Sequence, residues 1–138
     1  MGDVREMAAK FEEGLKSGDF GQMTEMLKEY TTDDFVQEWP QSGERLTKAA
    51  SIKVNENYPE MSGKSPKFSY KRMLGGGDVF VVEGTVDYGD GVPVSMVSII
   101  ELNDEGKIAK TTDYFASPFP APEWRKQWVE QAEPMKVG

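Results

Sequence analysis

Neither cysteine nor histidine occurs anywhere in the 138 residues. Without cysteine there are no disulfides, no thiolate nucleophiles and no cysteine-held metals. Without histidine, Ser-His-Asp triads, imidazole general bases and His-ligated zinc or iron are excluded as well. Acid–base chemistry then falls to carboxylates, Tyr, Lys or bound water. No apolar run approaches the ~20 residues that span a bilayer. The opening MGDVREMAAKFEEG lacks the apolar stretch of a secretory signal, so a cytoplasmic protein is expected. Basic residues are also few, 16 against 24 acids for a net charge of −8, and they are scattered. Nucleic acid and anionic membrane are therefore not expected partners. No metal site and no cofactor are expected.

A chain of this length, 38% hydrophobic and 29% charged, suits one domain over residues 1–138 with a single core. The stretch 78–115 organises it as three strands joined by two turns. Gly89-Asp90-Gly91 makes the first turn and Asn103-Asp104-Glu105-Gly106 the second, in residues that tolerate positive φ. In the middle strand Val94, Met96, Ser98 and Ile100 share one face, and Ser95, Val97, Ile99 and Glu101 the other. Both faces are largely apolar, which predicts cover on both sides of the sheet. Helices can supply one cover; a second copy of the chain is expected on the other, as a homodimer through the sheet face.

The segment before the meander supplies those helices. Val4, Met7, Ala8, Phe11 and Leu15 make one apolar helical face, stopped at Gly18. Asp19 caps a second helix with Phe20, Met23, Met26, Leu27 and Tyr30 inward. The sequence 31–34 breaks the pattern, and 35–39 is a short strand ended by Pro40. Glu44 and Arg45 form a local surface pair. Leu46, Ala50, Val54 and Tyr58 step by four, predicting a third helix that ends before Pro59, followed by loop to Pro66. Residues 67–74 form a strand with one wetter face. Gly75-Gly76-Gly77 leads into a strand rather than a helix, so it is a hairpin turn and not a phosphate cradle. Asp87-Tyr88-Gly89-Asp90-Gly91 lacks the alternating ligands of a calcium loop and is also a turn. The segment 118–138 predicts a short anchoring helix and tail, with Pro122 at its first position, Trp124 and Trp128 on one face and Pro134 at its end.

Asp113 carries the most chemical promise. In the last strand Lys110 prefers water, which turns Asp113 with Thr111 and Phe115 toward the covered side. A carboxyl there is partly desolvated and its pKa raised, which suits a general acid or base; a hydrogen bond to a buried group is the structural alternative. Glu83 sits in the apolar run 79–84, either as a second acid beside Asp113 or as a cross-strand partner of Arg72. Trp39 can stack on a flat ligand or fill core.

Three local matches resemble one family. FEEGLKSGD (residues 11–19) resembles its first-helix ending, DDF through Pro40 its first strand, and GKI through Asp113-Tyr114-Phe115 its last strand. Their order resembles the SnoaL-like branch of the nuclear transport factor 2-like superfamily, over nearly the whole chain. The resemblance implies an α+β cone: three N-terminal helices packed on a curved, mainly antiparallel sheet around a pocket. The family includes ketosteroid isomerases, polyketide cyclases, limonene-type epoxide hydrolases and non-catalytic proteins. Phe11, Trp39 and Ser98 stand where ketosteroid isomerases carry their Tyr, catalytic Asp and second acid, so that residue set is not kept. Asp113 matches the last-strand Asp of the epoxide hydrolases. Their partner Arg and Asp fall in the strand holding Glu83 and Asp87, which has no Arg, and Val36 and Glu38 replace their water-holding pair. A single last-strand acid also serves the cyclases.

The resemblance and the residues together predict a pocket enzyme for a small, largely apolar substrate. Its chemistry would be isomerisation, cyclisation or epoxide opening, with Asp113 as acid/base assisted by Glu38 or Glu83. Trp39, Phe11, Tyr70, Arg72 and Phe115 would shape the substrate site. A non-catalytic binding or dimerisation module is the alternative.

Overall fold

The apolar face that sets helix α1 (Val4–Ser17) delivers Leu15 into the core and Phe11 against it. Gly18 then turns the chain at φ +69°, and a Cβ there would sit 2.7 Å from the Phe68 carbonyl oxygen. No other residue type fits both demands. Asp19 caps helix α2 (Phe20–Tyr30), its Oδ1 accepting from the Gly21 N–H at 2.9 Å. That bond satisfies one of the donors a helix start leaves open, worth about 1 kcal/mol. Helices α1 and α2 approach closely at Gly14, where any Cβ would collide with the Met26 sulfur.

The computed structural model describes residues 4–62 and 66–130. Side chains of Val4, Arg5, Met7 and 59–62 lie outside the description, as do the expected loop at 63–65 and the expected stop at Pro134. Among the described residues the strands are β1 (Thr31–Trp39), β2 (Glu44–Thr47), β3 (Lys67–Gly76), β4 (Val79–Asp87), β5 (Val94–Leu102) and β6 (Ile108–Ala116), with α3 (Lys48–Ser62) between β2 and β3. They form one curved, unclosed sheet in the order β2-β1-β6-β5-β4-β3. The β1–β6 pair is parallel and the other neighbours are antiparallel. The expected α+β cone is what the chain forms. The three helices lie on the inner face, and Leu15, Phe35, Phe68, Val82, Ile100 and Ile108 close the core between layers. No helix among the described residues is long and apolar enough to cross a membrane.

Several boundaries differ from expectation, each for a tertiary reason. The segment 31–34 does not interrupt the chain: β1 begins at Thr31, with Thr31 paired to Ile108 of β6 and an irregularity before Val36. That irregularity leaves Asp33 and Asp34 exposed, so strand pairing and charge coexist. Leu46 does not belong to the third helix. It is buried in β2, facing Gln37 across the β1–β2 hairpin. Arg45 pairs not with its neighbour Glu44 but with Glu38 on β1 at 3.3 Å. Helix α3 does not end before Pro59 but continues to Ser62. The Tyr58 ring meets Phe20 edge-on at 5.8 Å and lies against Tyr88 at 5.7 Å. These contacts hold the helix in place where the proline removes one backbone donor. The terminal segment is a correction as well. Pro122 precedes a three-residue 3-10 helix (Glu123–Arg125), and Trp124 and Trp128 are 70% and 72% exposed instead of anchored on this chain's body. One such turn is too short to present both indoles on a single buried stripe.

Candidate active site

Alternation along β1, β5 and β6 determines which side chains enter the hollow. Strand register sets Ser98 opposite Asp113, Gln37 beside Thr111, and Met96 opposite Phe115. All of these face the helices, and with α1, α2 and α3 they line a partly open cavity of about 180 Å³. Its floor is apolar, from Phe35, Val82 and Ile100 of the sheet. Phe11 and Leu15 of α1 and Met23 and Leu27 of α2 form the roof. Asn55 and Tyr58 of α3, with Tyr88 from the end of β4, bring polar groups to one side.

Asp113 lies in this wall, only 5% exposed. Three neutral donors hold it. Ser98 Oγ donates to Oδ1 at 2.5 Å, while Gln37 Nε2 at 2.5 Å and Trp39 Nε1 at 3.2 Å donate to Oδ2. Behind them Ser51 Oγ donates to Gln37 Oε1 at 2.8 Å. No cation enters this set among the described residues. Burial pushes the Asp113 pKa up, and the bonds from Ser98, Gln37 and Trp39 oppose it without winning. The physical reason is that neutral donors replace only part of the hydration a carboxylate loses. Across the cavity Tyr58 and Tyr88 hydrogen-bond each other, and burial lifts both phenols, Tyr88 to about 12 with Tyr58 and the Asp113 charge adding to the rise. Both remain neutral hydrogen-bonding groups at neutral pH.

The structure brings together some of the expected site residues and separates others. Phe11, Trp39, Phe115 and Asp113 line the same cavity, with the Trp39 and Phe115 rings edge to face at 6.5 Å. Glu38 and Glu83 do not converge with Asp113. Glu38 pairs in register with Thr112 and so lies on the outer face, where Lys110 reaches it at 2.6 Å. Glu83 is outward too, bound by Arg72 at 2.6 Å and Lys71 at 3.6 Å. The cross-strand ion pair is therefore what Glu83 and Arg72 make. The Lys110 bond, with Arg45 adding less, holds Glu38 below the usual carboxylate range; Arg72 chiefly does so for Glu83. Tyr70 is spent elsewhere, donating to Glu12 Oε2 at 2.6 Å, and its pKa rises to about 12 through burial and that bond.

The sequence reading missed Gln37, Ser51, Asn55, Tyr58 and Tyr88 as site residues. A signal for Gln37 existed: it alternates with Phe35 and Trp39, so the three share the inner face. Ser51, Asn55 and Tyr58 also recur at helical spacing, but a search for apolar periodicity passes over a polar inner face.

A family model described as a SnoaL-like domain matches residues 8–111. No curated protein sequence matches the chain. Among solved structures, a nuclear transport factor 2-like protein of unknown function from Burkholderia xenovorans is 32% identical, covering 94% of this chain and 95% of that one at a TM-score of 0.69. A protein of Kribbella flavida, named as a candidate ketosteroid isomerase, is 23% identical over 98% of this chain and 95% of its own, with a TM-score of 0.75. A candidate polyketide cyclase of Streptomyces antibioticus shares the fold at 14% identity, 82% and 91% coverage and a TM-score of 0.59.

Proposed function

The chain belongs to the SnoaL-like family, and we infer from its inward carboxylate that it is a cofactor-independent acid–base enzyme, an isomerase or cyclase for a small, largely apolar substrate. The observation that carries this reading is Asp113: buried in an apolar cavity, held by neutral donors, without a cation to keep its pKa low. A carboxyl so placed takes a proton from a weakly acidic C–H and returns it to another carbon of the same molecule. Trp39, Phe11 and Phe115 shape the apolar seat. The candidate isomerase and cyclase among the structural neighbours point the same way. Epoxide opening has less support, because Asp113 is the one carboxylate lining the cavity among the described residues.

A second reading, a binding module, is favoured by one observation. Three donors already occupy most of the acceptor positions of Asp113 before any ligand arrives. In either case a second copy of the chain is proposed to cover the outer sheet face. There Val81, Val97 and Ile99 are half-buried, and Leu74 and Tyr114 are 50% and 46% exposed.

Proton exchange in D₂O separates the readings without knowledge of the natural product. Small β,γ-unsaturated ketones and 1,3-dicarbonyl compounds are incubated with the protein, and C–H exchange is followed by NMR. Catalysed exchange is expected, falling by about 10² to 10⁴ in Asp113→Asn. Binding without exchange would select the module, and neither binding nor exchange would remove the enzyme reading for these compounds.

A further inference from the structure

Ser51 is 1% exposed and lies on α3. Its hydroxyl donates to Gln37 Oε1 at 2.8 Å, while the other end of the same amide, Nε2, donates to Asp113 Oδ2 at 2.5 Å. A carboxamide is asymmetric. Turned over, it would aim its oxygen at the carboxylate, and two acceptors would face each other in a buried site. We propose that Ser51 is a positioning residue for Asp113, acting through the Gln37 amide by holding its oxygen so that its N–H stays on the carboxylate.

Three geometric facts support this. The dipoles Ser51 O–H, Gln37 C=O and N–H, and Asp113 carboxylate line up head to tail, so each bond polarises the next. Ser51 and Asp113 belong to different layers: Ser51 sits on helix α3, while Gln37, Ser98 and Trp39 hold Asp113 from the sheet. The device thus ties the position of α3 to the acid. Finally, the charged and titratable surroundings leave the relay to act. The α1 and α2 residues lining the cavity, among them Phe11, Leu15, Met23 and Leu27, carry no titratable group. Among the described residues that line the cavity, Tyr58 of α3 and Tyr88 beyond β4 are the other titratable groups, and both phenols have raised pKa values.

The consequence for proton transfer rests on the acid–base reading above, but the test does not. The Asp113 carboxyl is titrated by ¹³C NMR in the full chain, and the Gln37 side-chain amide protons are followed in the same samples. In the parent protein one Gln37 amide proton is expected to move with the Asp113 titration. Ser51→Ala is expected to raise the Asp113 pKa by roughly half a unit to one unit and to weaken that amide response. Ser51→Thr, which keeps the hydroxyl, is expected to restore both. Gln37→Leu is expected to raise the pKa by itself and to make Ser51→Ala silent when the two are combined. Equal shifts in both backgrounds would overturn the proposal, because Ser51 would then act on Asp113 without Gln37. No shift in Ser51→Ala alone would overturn it too. If the double variant does not fold, the amide-proton response of Ser51→Ala decides in the same two directions. Loss of exchange activity in Ser51→Ala with an unchanged titration would likewise overturn the relay, and would trace the loss to the position of the helix. Proper titration shifts without any turnover in the parent would leave the relay standing and remove the enzyme.

Discussion

The inner and outer faces of the same sheet treat their carboxylates in opposite ways. On the inner face Asp113 is held by Ser98, Gln37 and Trp39, all neutral, and burial raises its pKa. One pleat away on the outer face, Glu38 has Lys110 and Arg45, Glu83 has Arg72 and Lys71, and both pKa values are lowered. Neighbouring residues of one strand, Gln37 and Glu38, serve the two systems separately. A carboxylate with cations in reach of water is fixed as an anion. One with neutral donors in an apolar wall has its charged form disfavoured and its pKa raised.

The largest break in this comparison is in packing. Phe35 is 3% exposed on the inner face, and Val36 beside it is half-buried on the outer. Phe35→Ala is expected to cost about 3 to 5 kcal/mol in urea unfolding, while Val36→Ala should cost well under half as much. Equal losses would mean that both faces are covered to the same degree in the protein as measured.

The next effect concerns that outer cover. Val97→Lys places a charge in the middle of the outer face, opposite Glu83 and beside Tyr114 in register. If a second copy packs there, sedimentation should show dimer dissociation rising by about 100-fold or more, with the monomer still folded. A parent chain that sediments as a monomer at all concentrations would show the outer face to be a solvated surface.

Smallest, but of opposite sign on the two faces, is the pH dependence of stability. The folded pKa of Asp113 lies above its ordinary 3.8, so the native state holds that proton more tightly. Its contribution is present below the unfolded pKa and is lost as pH rises through the folded one. Glu83 has a folded pKa below its ordinary 4.5, so its contribution is present above that value and is lost as pH falls through the folded pKa. Denaturant unfolding from about pH 3 to about pH 8 should show Asp113→Asn gaining on the parent as pH rises. Glu83→Gln should lose ground over the same rise, and only slightly, because its Arg72 partner is 55% exposed and well screened. Parallel curves for the two variants would erase the distinction between the faces.

Much of this was legible from local pattern. The three strands around Gly89–Gly91 and Asn103–Gly106, the helix stop at Gly18 and the Asp19 cap each follow from backbone preferences of a few adjacent residues. The inward turn of Asp113 followed from one alternation, with Lys110 outside. The rest depended on partners far along the chain. β1 extends back to Thr31 because β6 pairs with it, 77 positions on at Ile108. α3 passes Pro59 because Phe20 and Tyr88 pack against Tyr58. Glu38 and Glu83, promising as isolated acids, lie on the outer face, since register and not residue type decides which acids meet.

The sequence by itself settled which chemistry was open, by lacking cysteine and histidine, and where the first two helices and the three-stranded meander lie, because those are properties of residue identity and short-range periodicity. Only the tertiary structure decided that Gln37, Trp39 and Ser98, from two strands, meet at the Asp113 oxygen pair, with Ser51 from a helix behind them on the Gln37 amide. Hydrogen bonds act over about 3 Å, and no local rule brings residues 74 and 76 positions apart within that distance; the curvature and pairing of the whole sheet do.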